Sequence, residues 1–571
     1  MHDLVDMRIH SLILVVFVTG CSPVPDMASA PSDPDARPTL SATSAHGMVV
    51  TGSPAATAAG VTILEAGGNA IDAAVATALA LAVAEPTQSG LGGRTQALVY
   101  LADGTSFGVD GTTAVPADYD PYTAEQSDDG YPVIGVPGTV AALEAVLQRG
   151  GSMSWSEVIA PALTLAEGGV VLTGGEAGRL ASIADRLRES DGARAAFLRA
   201  DGTAYAEGDT LRQPDLAAVL RTLGDEGADA FYEGRIAEVI ARDLEEHGYV
   251  DRADLAAYRP RPSILTHGRI GGLDLLGTYL PASGGTTIEA LQIAAQVEVD
   301  ALSSDERAVA TALSLLAAFE DRESALADAR PEDEDAAWIT SVERARERAE
   351  EIRAVLAAPS RPTAQRHELH APVTALSSRK TPTESPFTTH LSVVDDRGNA
   401  VSMTQSLGPS GGSRVATPGL GFLYAATLGG YLGRVEPGDR PWSSQSPLIG
   451  LRDGRPVFVI GGAGSRRIIS GLVNTLLRVE LDGASLAEAM AEPRLHPSST
   501  WTFEEAVAQR STEGRPAGAK LAEALGHEVV IRPFDVWFAR LNAIAIDRTT
   551  GEFQGVADPR WPWGSAAGPT R

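Results

Sequence analysis

The chain changes character at Thr388. Pro359, Pro362, Pro372, Pro382 and Pro386 punctuate an irregular polar stretch that no long helix can cross. Directly after it, Phe387-Thr388-Thr389-His390-Leu391-Ser392-Val393-Val394-Asp395 opens a β-strand, because Thr and Val suit a pleated, half-buried surface. A second strand, Ala400–Ser406, follows across the hairpin signal Asp396-Arg397-Gly398-Asn399. A threonine therefore stands at a strand mouth behind an exposed loop. One reading is plain strand initiation. The other is chemical: cutting the Phe387–Thr388 bond gives Thr388 a free α-amine beside its own hydroxyl. A hydroxyl is a weak nucleophile and needs a base. An α-amine of pKa about 7.7–8.0 supplies one near neutral pH.

The 571 residues are enough for a large core, and 44% hydrophobic with 21% charged residues describes a globular chain. A formal charge of -28 repels phosphate backbones and excludes nucleic acid as a partner. Cys21 is the single cysteine, so no intrachain disulfide forms. It ends the run Met7-Arg8-Ile9-His10-Ser11-Leu12-Ile13-Leu14-Val15-Val16-Phe17-Val18-Thr19-Gly20-Cys21, too short to span a membrane and patterned as a secretory signal. Val18-Thr19-Gly20-Cys21 resembles a bacterial lipobox. Residues 1–21 are accordingly expected to be a lipoprotein signal peptide, with Cys21 lipidated and the protein held at the cell envelope. Residues 22–45, rich in Pro, Ser, Ala and Asp, are expected to form a flexible tether.

From Gly47 the pattern becomes regular. Two helices are expected on either side of Gly67-Gly68-Asn69, within Ala55–Ala84. Asp103-Gly104 marks a hairpin between strands at 97–100 and 106–110. Residues 138–256 and 286–358 read as mostly helical, and strands return at 457–460 and 543–547. Helical blocks with hairpin-linked strands indicate an α+β or layered architecture.

Four sites compete for the chemistry. Thr388 has candidate support downstream: Ser406, placed to face it across the hairpin, the hydroxyl-rich loop Trp442-Ser443-Ser444-Gln445-Ser446-Pro447, and Gly461-Gly462-Ala463-Gly464-Ser465, whose backbone N–H groups suit an oxyanion. Gly408-Pro409-Ser410-Gly411-Gly412 matches a nucleophile elbow in form, but the following residues do not read as the helix that motif needs. The glycine loops at 90–93 and 461–464 lack the Gly-Lys-Ser/Thr ending of a phosphate loop. The ten histidines are scattered without metal-ligand spacing.

Taken in order, several motifs resemble the gamma-glutamyltransferase (glutathione hydrolase) family from about Gly47 to near the C-terminus. They are Gly68-Asn69-Ala70-Ile71-Asp72-Ala73-Ala74, Ser89-Gly90-Leu91-Gly92-Gly93, Val136-Pro137-Gly138, Pro281-Ala282-Ser283-Gly284-Gly285 and Ala318-Phe319-Glu320-Asp321-Arg322. The series continues with Thr388–Asp395, Gly398-Asn399-Ala400-Val401, Ser443–Pro447 and Gly461–Ser465. The resemblance implies an N-terminal nucleophile (Ntn) hydrolase fold, a four-layer αββα sandwich. It also implies self-cleavage before Thr388 into a large part, residues 46–387, and a small part, residues 388–571, that share one fold as a heterodimer. By the same resemblance Thr388 is the nucleophile, Ser406 its support, Ser443 and Ser444 the substrate-contacting serines, and Gly464 and Ser465 the oxyanion positions. The implied reaction is attack on a γ-glutamyl amide, an acyl-enzyme, then transfer to water or an amine. The implied partner is a small-molecule amide, and no metal or cofactor is expected.

The chain departs from the family at its substrate grip. Thr112 stands where the family arginine binds the glutamyl α-carboxylate, and threonine does not reproduce a bidentate guanidinium. Ala425-Ala426-Thr427-Leu428-Gly429-Gly430 replaces the run that holds the α-amine, and Gly408 replaces a family asparagine. Arg94 is an arginine in a loop where the family has glycine, and is a candidate relocated cation. Two alternatives stay open: an acylase for another amide, and a noncatalytic envelope-anchored homologue.

Overall fold

The computed structural model describes residues 39–124, 127–327, 331–357, 387–429, 434–505 and 516–570. Cys21, most of the expected tether and the proline-rich 359–386 stretch lie outside the described residues.

Two seven-stranded antiparallel sheets face each other. The first runs in the order β1 (Ser41–Ser44), β18 (Phe553–Ala557), β17 (Arg540–Ile546), β13 (Arg455–Ala463), β12 (Leu448–Arg452), β9 (Leu273–Thr278), β8 (Leu265–Ile270). The second runs β19 (Ser565–Ala567), β2 (Gly47–Thr51), β10 (Thr389–Asp395), β11 (Ala400–Ser406), β3 (Arg94–Tyr100), β4 (Ser106–Gly111), β7 (Arg261–Ser263). Smaller sheets join β5 (Val170–Val171) to β6 (Thr210–Leu211), and β14 (Leu495–His496), β15 (Trp501–Glu504) and β16 (Val529–Arg532).

Side-chain alternation along the strands builds the layers. Met48, Val50, Leu98, Val394, Ile449, Val459 and Ile544 point into one core between the sheets. Their neighbours Val49, Val99, Val393 and Val401 point outward onto helices that include Pro54–Glu65, Ala70–Ala84 and Thr139–Gly150. On the far side, Leu448, Phe458, Ile460 and Leu541 pack under the helices Gly284–Val297, Ser304–Ala327 and Arg467–Asp482. The result is the expected αββα sandwich. The inner strands β3, β10 and β11 are buried along their whole length on both faces.

The helix pair around Gly67-Gly68-Asn69 forms as expected. Asn69 caps the second helix by accepting from the Asp72 N–H at 3.0 Å, while the Asp72 carboxylate accepts from the Asn69 N–H at 2.8 Å. The two helices touch so closely that a Cβ on Gly60 would lie 2.2 Å from Thr77 Oγ1.

One boundary is corrected. The expected tether over 22–45 ends too late, because Ser41–Ser44 pairs with β18 as an edge strand. Composition does not foresee this: a Ser/Ala/Thr strand has no apolar alternation, and its pairing comes from the exposed edge of β18. Strands from before and after Thr388 interleave, with β10 between β2 and β11, so residues 46–387 and 388–571 contribute to the same sheets. Among the described residues, no helix is long and apolar enough to cross a membrane.

Candidate active site

The hairpin register brings the first two candidates together. Thr389 pairs with Gln405, which sets Thr388 against Ser406 at the end of the ladder. Their hydroxyl oxygens are 3.0 Å apart and both residues are buried. Ser406 Oγ also donates to the Phe387 carbonyl at 3.3 Å and accepts from the Gly408 N–H at 3.0 Å. A hydroxyl carries one proton. With the Ser406 proton on the Phe387 carbonyl, Thr388 is the donor of the shared bond. The chain of contacts therefore runs from Thr388 O–H through Ser406 O–H to the carbonyl that precedes Thr388.

The turn at Gly464-Ser465 is anchored beside this pair. β13 ends at Ala463, paired with Arg540 of β17, and Arg540 Nη2 donates to the Thr388 carbonyl. Gly464 has φ +145, and a Cβ there would meet Ala539 Cα at 2.7 Å. Ser465 follows at φ 58, a strained conformation for a residue with a side chain. The helix Arg467–Asp482 starts directly behind them, so the turn's N–H groups sit at a positive helix end. Upstream on the same strand, Gly461 gives room to His390: a Cβ would lie 2.2 Å from its ring. Thr404 and Ser392 hydroxyls bind the two ring nitrogens at 2.8 and 3.2 Å, and burial pushes the His390 pKa down to about 3. His390 is thus a neutral packing residue.

The serine loop approaches from the other sheet. The Ser443 N–H donates to Pro281 O at 2.7 Å, its carbonyl accepts from Ser283 Oγ at 2.7 Å, and its hydroxyl donates to Gln445 Oε1 at 3.2 Å. Gln445 Nε2 in turn donates to Thr404 O of β11 at 2.9 Å. Ser443 is buried and Ser444 half-buried. Arg322 braces the loop from behind, donating to Ser283 Oγ at 3.0 Å with its guanidinium 4.6 Å from the Trp442 ring.

Arg94 opens β3 directly opposite Ser406 and is only 3% exposed, so it is an interior residue and not a surface one. Ser410 does not form an elbow: it lies in a turn that leads to no helix, and its hydroxyl meets no partner among the described residues. The 90–93 loop is a packing device. A Cβ on Gly92 would lie 2.4 Å from Leu423 O, and Gly92 O accepts from the Ala425 N–H at 2.9 Å.

The gamma-glutamyltranspeptidase family model matches residues 56–568. The chain belongs to that family. It is 31% identical over 550 residues to the glutathione hydrolase proenzyme of Escherichia coli (strain K12), with 90% of each chain covered. It is equally similar to an acylase, the ACY 1 proenzyme of Pseudomonas sp. (strain V22): 32% identity over 541 residues, 90% of this chain and 92% of the relative. Among solved structures, the cephalosporin acylase of Bacillus halodurans superposes with a TM-score of 0.78 at 24% identity, covering 95% of this chain and 99% of that one, a likeness of fold.

The segments that carry Thr113 and Thr427 meet in space. Thr427 Oγ1 donates to Thr113 Oγ1 at 2.8 Å, and Thr112 Oγ1 accepts from Gln96 Nε2 at 2.9 Å. Neutral hydroxyls thus bond one another between these two segments. Arg440, close by, is engaged with the Asp110 carboxylate at 3.6 Å and with Tyr258 Oη at 3.0 Å.

One group of residues escaped the sequence reading. Beneath Phe387-Thr388 lie Glu85, Glu176, Arg179, Arg540 and Trp561. Arg540 Nη1 is 3.7 Å from Glu85 Oε1, and the Trp561 ring lies 4.4 Å from the Arg540 guanidinium and 4.3 Å from that of Arg179. Burial raises the Glu176 pKa and lowers those of both arginines, that of Arg179 to about 9 with the Arg540 charge adding to the effect. These residues come from well-separated segments of the chain, so no local pattern marks them as one group.

Proposed function

We propose that the protein is a self-processing N-terminal-threonine amidohydrolase or acyltransferase that works through an acyl-enzyme on Thr388. The contact chain from Thr388 Oγ1 to Ser406 Oγ (3.0 Å) and on to Phe387 O (3.3 Å) carries this reading. Ser406 polarises the Phe387 carbonyl while accepting the Thr388 proton. Thr388 Oγ1 attacks the Phe387 carbonyl carbon, the Thr388 nitrogen leaves protonated, and an ester forms. One water hydrolyses it, leaving a carboxylate on Phe387 and a free α-amine on Thr388. In turnover that amine takes the Oγ1 proton as the hydroxyl attacks an amide. The Gly464 and Ser465 N–H groups receive the oxyanion, and Ser443 and Ser444 orient the substrate. The substrate amine leaves with the proton, and water or a second amine resolves the ester.

The relatives named proenzymes support processing into the parts 46–387 and 388–571. They include glutathione hydrolases and acylases, so γ-glutamyl amides and other N-acyl amides are the two substrate readings. The neutral Thr113–Thr427 contact favours the second, since it offers no charge to an α-amino acid. The Val18-Thr19-Gly20-Cys21 pattern supports anchoring at the cell envelope through a lipid on Cys21. Intact-mass measurement of the mature protein tests the cut and the lipid together. Two fragments, one ending at Phe387 and one beginning at Thr388, are expected, and a single chain for Thr388→Ala. A wild-type protein that stays whole and cleaves no amide would instead support a noncatalytic homologue.

A further inference from the structure

Self-cleavage needs the Phe387 carbonyl carbon held against Thr388 Oγ1, and the strand ladder stops short of it. Pairing of β10 with β11 begins at Thr389 opposite Gln405, so the scissile bond lies beyond the last ladder pair. Ser406 meets the Phe387 carbonyl oxygen at 3.3 Å, but a single hydrogen bond lets the peptide unit swing about it. Two contacts restrict that swing. On one side of the bond, the Phe387 ring lies 5.2 Å from the Arg179 guanidinium. On the other, the Thr388 carbonyl accepts from Arg540 Nη2. Both arginines rest on one ring, that of Trp561, at 4.3 and 4.4 Å. That ring is itself fixed. Its Nε1 donates to Gly52 O at 2.9 Å, and Trp563 meets it in a T-shaped contact at 4.8 Å. The helix Gly174–Leu187, which carries Arg179, presses onto it so closely that a Cβ on Gly175 would lie 2.1 Å from Trp561 Cη2.

Resting on the self-processing reading above, we propose that Arg179, seated on Trp561, is a positioning residue for self-cleavage: it grips the Phe387 ring, so that an aromatic side chain before Thr388 is part of what the precursor needs to cut itself. Arg179 touches none of the atoms whose bonds change. In the step, a bond forms between Thr388 Oγ1 and the Phe387 carbonyl carbon. The bond from that carbon to the Thr388 nitrogen breaks, and the Oγ1 proton ends on that nitrogen. Arg179 acts earlier, on the share of precursors whose carbonyl already faces the hydroxyl, and the rate is proportional to that share. A guanidinium attracts the face of an aromatic ring, and burial strengthens the attraction; Arg179 is only 4% exposed. Trp561 keeps the guanidinium from following the ring if Phe387 swings away. An aliphatic side chain at 387 offers no such face. Losing the contact lowers the competent share by at most its Boltzmann factor, roughly 5- to 30-fold.

The test follows loss of the full-length chain on a denaturing gel after pulse-labelled cell-free synthesis, reading the rate constant and the final extent separately. Misfolding lowers the extent; lost positioning lowers the rate constant and leaves the extent. Phe387→Leu should slow cleavage roughly 5- to 30-fold and still reach the wild-type extent. Phe387→Tyr, which keeps the ring, should stay within about threefold of wild type. Arg179→Met should slow cleavage as Phe387→Leu does, and the double variant should be no slower than the slower single one, because the two changes remove one shared contact. If Arg179→Met lowers the extent, Arg179→Lys takes its place in the double variant. Wild-type speed in Phe387→Leu, equal slowing in Phe387→Tyr and Phe387→Leu, or additive losses in the double variant overturns the proposal and leaves the self-processing reading in place. A wild-type chain that is never cut overturns both.

Discussion

Replacing Ser406 by alanine removes three contacts at once, and they have separable consequences. The loss of the acceptor for the Gly408 N–H leaves a buried donor unpaired, which costs about 1–3 kcal/mol of stability. A domain of ordinary stability, roughly 5–15 kcal/mol, stays folded after that loss. The loss of the hydroxyl between Thr388 and the Phe387 carbonyl is a kinetic matter. That hydroxyl donates to an oxygen on which negative charge grows as Thr388 attacks. Removing one such donor from a preorganised site costs about 2.7–4 kcal/mol of transition-state stabilisation, or roughly 10²–10³ in rate. Ser406→Ala should therefore accumulate as a folded, full-length precursor that matures on a timescale lengthened by that factor. Ser406→Thr, which restores a hydroxyl, should recover most of it. The assay is a time course of fragment appearance on a denaturing gel, with thermal melting run in parallel. Maturation of a folded Ser406→Ala protein at the wild-type rate would refute the contact chain as the route of self-cleavage.

Two further outcomes follow from the site's surroundings. Gly464→Ala should destabilise the protein and suppress turnover, because the residue sits at φ +145 and its new Cβ would meet Ala539 Cα at 2.7 Å; melting and amidase rates equal to wild type would show that the turn tolerates a side chain. His390 should make the fold acid-sensitive. Burial lowers its pKa to about 3, below the ordinary value of about 6.5, so its stabilising contribution is complete above pH 6.5 and fades as pH falls towards 3. The loss amounts to about 2 kcal/mol by pH 5. Melting temperatures from pH 7 to 4.5 for wild type and His390→Gln check this, and parallel curves for the two proteins would contradict it.

The Thr388–Ser406 pairing was legible in the sequence because it is a local consequence of hairpin geometry. Two strands joined across Asp396–Asn399 keep a fixed register, and stepping outward from the turn meets Thr388 opposite Ser406. The helix break at Gly67-Gly68-Asn69 was legible for a similar reason, since capping involves residues three apart. The edge strand Ser41–Ser44 was not, because its pairing depends on an unpaired edge supplied by β18 from the far end of the chain. The interior position of Arg94 also escaped local pattern, because only the pairing of β3 with β11 places it opposite Ser406.

By itself, then, the sequence determined the main helix and strand blocks and which threonine heads the β10–β11 hairpin, because periodicity, turn residues and capping act over a few residues. Only the tertiary structure decided the charge around that threonine. Arg540 reaches the Thr388 carbonyl across 152 residues of chain, and Arg179 reaches Phe387 from the distant helix Gly174–Leu187. Whether an arginine is a solvated surface group or a buried donor beside Thr388 depends on the low-dielectric packing around it. That packing exists only once the two sheets have closed.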